Sequence, residues 1–235
     1  MARASAKRVR HEAEEESYFI SMSDMMVGLL FIFIILVLYF ALQFRKTTVE
    51  LTSANQSRSQ ILHAIEQRLR DKGLKVTIDE KAGVLRLPDQ ILFAKGDAAL
   101  SPQGREAVGI LAQAMAAVLP CYALGLARAA DCPPELHHLD AVFIEGHTDI
   151  DPMRRGDNWD LSVARATNTY RTLVELGPEL PRLTGPMGQA ILSVSGYGPN
   201  RPVDRGDSEA AKAKNRRIDL RFLMATPRTP GGGGS

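Results

Sequence analysis

Residues 19–44 read FISMSDMMVGLLFIFIILVLYFALQF, an apolar run interrupted by one acid, Asp24. At ~1.5 Å per residue, about 20 apolar residues cross the ~30 Å hydrocarbon core of a bilayer, so the run is long enough to span as a helix. A carboxylate inside a span costs roughly 2.5–3.5 kcal/mol on insertion scales, and an acid kept there is by default functional, with a partner. Asp24 is therefore the candidate ion carrier; a single carboxylate serves a proton or sodium, and a proton is the expectation. Ser21 and Gly28 lie at i−3 and i+4 from it, a stripe of small residues along which another helix can approach closely.

The flanks orient this segment. Arg3, Lys7, Arg8 and Arg10 precede it and only Arg45 and Lys46 follow closely, so the positive-inside rule places the N-terminus in the cytoplasm and the remainder outside. The apolar core is longer than that of a cleaved signal peptide and lacks an A-x-A-like site, so it reads as a retained anchor. Working outward, residues 1–17 form a charged tail with no apolar periodicity, expected to be flexible, and 18–44 the transmembrane helix. Residues 45–73 are a polar linker feeding a short helix with Ile61, Leu62, Ile65 and Leu69 at helical spacing. Residues 74–224 are one soluble domain, and 225–235 a tail ending in GGGGS, which reads as an appended flexible linker.

The net charge of +2 over 235 residues, with no basic stripe interleaved with aromatics, points away from nucleic acid. The two cysteines, Cys121 and Cys132, would lie in an oxidising compartment, and we predict that they pair as a disulfide.

Within the soluble part, Val76 and Ile78, then Leu85 and Leu87, alternate with polar residues around a turn at Lys81–Gly83, predicting a β-hairpin ended by Pro88. Ser101 and Pro102 are N-cap and first residue of a helix with Val108, Leu111, Met115 and Val118 on its buried face. Residues 121–134 read as an insertion. Leu139–Glu145 is a buried strand opening onto Gly146, His147, Thr148 and Asp149. A second helix runs from about Asn158 to Leu176, and Ile191–Ser195 and Ile218–Phe222 are further strands. The order β, β, α, β, α, β, β predicts an α+β fold, a mixed sheet with helices packed on one face.

Four ordered pieces, ILFAKGDAALSPQG, IEGHTD, NWDLSVARA and GYGPNRP followed by NRRIDL, resemble the OmpA-like peptidoglycan-binding domain. An acid-bearing anchor helix ahead of such a domain resembles the MotB family of stator subunits, and the ESYFISMSDMMVGLLFIFIIL wording is most similar to ZorB of Zorya anti-phage systems. The resemblance implies a peptidoglycan-anchored subunit of a proton-driven inner-membrane motor. It also implies a MotA- or ZorA-like partner forming a pentameric ring around a homodimer of this chain. Flagellar motility and a passive membrane-to-wall tether are the alternatives.

The resemblance places ligand contacts on Asp149, Asn158, Leu161 and Arg165, with Asn215 and Arg216 or Arg217 as support. The chemistry suits that ligand. Diaminopimelate carries an amine and a carboxylate on its side chain, so its site needs an acid and a guanidinium close together, which Asp149 and Arg165 can supply. Asn158 is also a candidate cap of the second helix. His147, Asp149 and Asp151 offer a metal or general-base reading that is not adopted, because no second cluster completes a shell and no nucleophile has an evident base. No cofactor, metal or enzymatic activity is expected.

Overall fold

The computed structural model describes residues 2–226 apart from 129, 131, 134–136 and 153–155, and for residues 2–21 the backbone alone. The chain divides into two compact units, residues 1–50 and 51–235. Helix α1 runs from Ala2 to Asp71. In the first unit every residue from Met22 to Val49 is exposed, and an 18-residue window reaches a mean hydropathy of 3.0 with none of it buried. This stretch has the length and composition of a membrane span. Ser21 falls among the residues whose side chains lie outside the described set.

The expected flexible tail and polar linker are instead helical, because α1 is continuous. Residues 1–71 contain no proline and a single glycine, Gly28. Once a helix is nucleated, each further residue adds a hydrogen bond at little entropic expense, so polar Ser and Thr residues need not end it. Its last turns also have a buried face: Ile61, Leu62, Ile65 and Leu69 are each 0% exposed and belong to the core of the second unit. Each such side chain contributes about 1.5–3 kcal/mol of burial.

In the second unit, strands β1 (Thr77–Asp79), β2 (Val84–Pro88), β3 (Leu139–His147), β4 (Leu192–Gly196) and β5 (Arg217–Met224) form one sheet in the order β1-β2-β5-β3-β4. The β3–β4 pair is parallel, and the others are antiparallel. Helices α2 (Asp89–Leu92), α3 (Pro102–Val118), α4 (Asn158–Leu176) and α5 (Glu209–Asn215) complete the domain. One sheet face carries Leu85, Leu87, Val142, Ile144, Ile218, Leu220 and Phe222 into the core with Val108, Leu111, Met115, Ala166 and Leu173 of α3 and α4. The period-two alternation of β5 puts Arg217, Asp219 and Arg221 on the other face. The fold is an α+β mixed sheet with helices on one face, following a long apolar helix.

Ser101 caps α3 through its side chain, accepting from Gly104 N–H, with Pro102 in the first turn. At α4 the cap is Asp157, which accepts from Asp160 N–H at 2.8 Å, and not Asn158. Both residue types suit a cap, and the helix begins one residue earlier in register than the sequence alone distinguishes. Cys121 and Cys132 form a disulfide with Cα atoms 5.4 Å apart.

Candidate functional site

Strand β3 ends at the site, and Gly146 sets how closely α4 can approach it. A Cβ on Gly146 would lie 2.0 Å from the Ser162 carbonyl oxygen, so only glycine lets helix and strand meet this closely. Beyond β3, Thr148 and Asp149 enter a pocket of about 740 Å³ lined also by Lys95, Gly96, Asp151, Pro152, Asn158, Leu161, Arg165 and Arg216. Five of the expected contacts, Asp149, Asn158, Leu161, Arg165 and Arg216, thus surround one cavity.

The ion pairing differs from expectation. Asp149 receives a 2.5 Å hydrogen bond from Arg216 Nη1, and Arg165 Nη1 donates to Asp89 Oδ2 at 2.9 Å. Arg165 also donates to the carbonyls of Asp97 (2.9 Å) and Ala94 (3.4 Å), and its guanidinium lies 5.0 Å from the centre of the Phe93 ring. It is 1% exposed. Arg216 Nε stands 3.7 Å from Asp89 Oδ1, so Asp89 lies between both guanidiniums. Burial pushes the Asp89 carboxyl up against the pull of Arg165 and Arg216. Burial pushes Arg165 down, with Asp89 opposing, whereas for Arg216 the effect of burial is outweighed by Asp149 and Asp89. A guanidinium stays charged throughout such shifts.

Asp89 was not a sequence candidate. Its only local signal is an acid directly after a strand-ending proline, and its partners stand far along the chain.

Asn158 braces the loop that holds Asp149, donating to the carbonyls of Asp149 (3.2 Å) and Asp151 (2.9 Å). Lys212 Nζ holds Asp151 at 2.7 Å. Residues 153–155 of this loop lie outside the described set. Thr148 Oγ1 is buried with no hydrogen-bond partner among the described residues, a polar atom at the pocket wall. Asn215 and Arg217 lie off the pocket lining. Asn215 accepts from the N–H groups of Val203 (2.8 Å) and Asp204 (3.1 Å), and Arg217 bonds Asp219, Asn215 O and Arg201 O. They fix the segments that present Arg216.

His147 belongs to a separate cluster. Its Nε2 is 3.7 Å from both Glu145 and Asp219, and donor atoms of all three lie within 4.8 Å of one another. Asp219 is bound by Arg86 (3.0 Å) and Arg217 (2.9 Å), and Glu145 by a two-pronged contact from Arg221 at 2.8 Å. Three guanidiniums already supply the positive charge that two carboxylates need, which disfavours a metal ion there. Burial works to raise Glu145, but His147 and Arg221 together bring it down to about 2. The imidazole contact is long for a hydrogen bond, so the Arg221 fork is the main cause. Burial pushes His147 down.

The arrangement presents both charge signs around a concave site, and among the described residues no nucleophile and base are in contact. The OmpA family model matches residues 126–216. Within the globular unit, that segment is OmpA-like. Motility protein B of Bacillus subtilis (strain 168) is 34% identical over 85 residues, which span 35% of this chain and 30% of that protein. Among solved structures, a MotB-like protein from Desulfovibrio vulgaris superposes with a TM-score of 0.50 at 22% identity, covering 78% of this chain and 99% of that one. The cell wall anchor of the T6SS from Pseudomonas aeruginosa gives 0.48 at 22% identity, covering 68% and 96%. The OmpA-like unit here carries the pocket between the end of β3, the start of β5 and the first turns of α4.

Proposed function

We propose that this chain is the peptidoglycan-anchored subunit of a proton-driven inner-membrane motor, with Asp24 carrying the ion. The observation that carries the anchoring half is the convergence of Asp149, Asn158, Leu161, Arg165 and Arg216 on one pocket of an OmpA-like domain. Arg165 and Arg216 suit the carboxylate of a diaminopimelate side chain, and Asp149 suits its amine. The motor half rests on Asp24, the single acid in the apolar stretch 19–44 of α1. Its partner is a MotA- or ZorA-like membrane protein, a pentameric ring around a dimer of this chain. The N-terminus lies in the cytoplasm and the OmpA-like unit in the periplasm.

A carboxylate that alternately meets lipid-shielded and solvated surroundings takes up and releases its proton, because desolvation favours its neutral form. Each elementary charge falling through 100 mV releases about 2.3 kcal/mol, and an anchored subunit turns that into motion of the ring. We take anti-phage defence as the output, on the likeness of residues 16–36 to ZorB. Flagellar rotation is the second reading, favoured by the similarity to Motility protein B.

The test is Asp24→Asn. Loss of phage protection or of motility, with protein level and complex assembly unchanged, is the expected result. Full output from the variant in both assays overturns the motor reading in favour of a passive tether.

A further inference from the structure

Trp159 is the chain's single tryptophan, the second residue of α4, and 45% exposed. The surface it covers is Gly198. A Cβ on Gly198 would lie 3.3, 3.4 and 3.5 Å from Cδ2, Cγ and Cε2 of the indole, atoms at and beside the ring junction. Gly198 therefore sits beneath one face of the ring, and the exposed area belongs to the opposite face and the edge.

The ring's two supports adjoin the pocket lining. The neighbouring residue, Asn158, lines the pocket, and pocket-lining Thr148 donates its N–H to the Gly198 carbonyl at 3.0 Å. Ser162 Oγ donates to the Trp159 carbonyl (2.8 Å) and accepts from Gly198 N–H (3.0 Å), which fixes the first turn of α4 against the glycine. Two backbone segments that adjoin the pocket lining thus support the ring.

A stem peptide seated in the pocket is covalently joined to an amino sugar. Diaminopimelate is its third residue, joined to the sugar through a γ-linked D-Glu, L-Ala and a lactyl ether, so the sugar must fall within about 20 Å of the pocket. A pyranose ring has a face of axial C–H bonds polarised by neighbouring oxygens, which complements the electron-rich face of an indole.

We propose that Trp159 is a stacking platform for the N-acetylated sugar to which the bound stem peptide is attached, a glycan subsite continuous with the peptide pocket. This rests on the peptidoglycan-binding reading above. The subsite selects peptides that still carry their glycan over free peptides released by wall turnover.

The experiment uses the full chain in detergent micelles, with two probes: the free tripeptide L-Ala-γ-D-Glu-meso-diaminopimelate, and the same tripeptide on its N-acetylglucosaminyl-N-acetylmuramoyl disaccharide. The disaccharide peptide is expected to bind about 3- to 10-fold tighter. It should also change the emission of the single tryptophan, where the free tripeptide leaves it almost unchanged. Trp159→Ala should reduce the two affinities to one value, that of the tripeptide on wild type, and Trp159→Phe should keep part of the difference. Equal affinity of both probes for wild type overturns the platform while leaving the peptide pocket standing, as does a sugar-dependent gain that survives in Trp159→Ala. Equal loss of both probes in Trp159→Ala and in Trp159→Phe assigns the ring a structural role and overturns it too. Failure of wild type to bind either probe overturns the peptidoglycan reading itself.

Discussion

Arg165 Nη1 and Asp89 Oδ2 meet at 2.9 Å across 76 residues of sequence, both side chains at most 5% exposed. Helix α4 is thereby fastened to α2, directly after β2. A residue proposed to contact a ligand is also half of a buried ion pair.

Removing either half leaves the other charge buried and unpaired. Asp89→Ala and Arg165→Ala are each expected to lower stability by about 3–5 kcal/mol, read as a fall in the urea midpoint. Arg165→Ala therefore tests binding poorly by itself. A midpoint unchanged in both variants would show that the pair is dispensable to the fold.

Asp149 and Arg216 are the cleaner pair, since they sit at the pocket wall with 11% and 16% of their side chains exposed. Asp149→Ala or Arg216→Ala should leave the thermal midpoint within a few degrees of wild type. Binding of the full chain to purified peptidoglycan sacculi should fall roughly 10- to 100-fold, the value of one charge-assisted hydrogen bond. Wild-type retention on sacculi in both would remove them from the site.

Glu145 makes stability depend on acid. Its folded value of about 2 lies below the ordinary carboxylate value of 4.5, so the folded state binds the carboxylate form more strongly. The resulting stabilisation, on the order of 3 kcal/mol, is fully present above pH ~4.5 and is lost as pH falls toward ~2. His147, pushed down by burial, adds a loss that begins below its unfolded value near pH ~6.5, because the folded state resists its protonation. Urea titrations across this range should show both slopes. Glu145→Gln should be less stable at neutral pH and flatten the lower one, and an undiminished lower slope would dissociate it from Glu145.

The disulfide closes a short loop, its cysteines 11 positions apart. Reduction should add two mass units per chain and lower stability by about 2–3 kcal/mol. An intact mass unaffected by reductant would show that the bridge does not form.

Much of the domain was legible because its periodicity is local. Val142 and Ile144 in an apolar run announce β3, and Ser101 followed by Pro102 announces α3, since caps and alternation act over a few residues. The pocket's outline was legible through motifs that place Asp149, Asn158 and Arg165. What escaped was pairing at a distance. Nothing near Asp89 shows that Arg165 and Arg216 will share it, so the expected partnership of Asp149 with Arg165 resolved into two other pairs. The helical linker escaped for another reason: Ile61 and Leu69 mark only its last turns, and the polar stretch before them has no apolar face to show that the helix runs through it.

Asp149 follows the end of β3, and Arg216 directly precedes β5. These two strands are antiparallel neighbours from Leu139–Met224 to His147–Arg217. A pull on a ligand held at that end enters two central strands along their length. Both strands would be drawn the same way, so their shared ladder would not be sheared and the load would pass outward to the ladder that joins β5 to β2. If the chain is an anchor as proposed, its grip is set at the centre of the sheet and not at an edge.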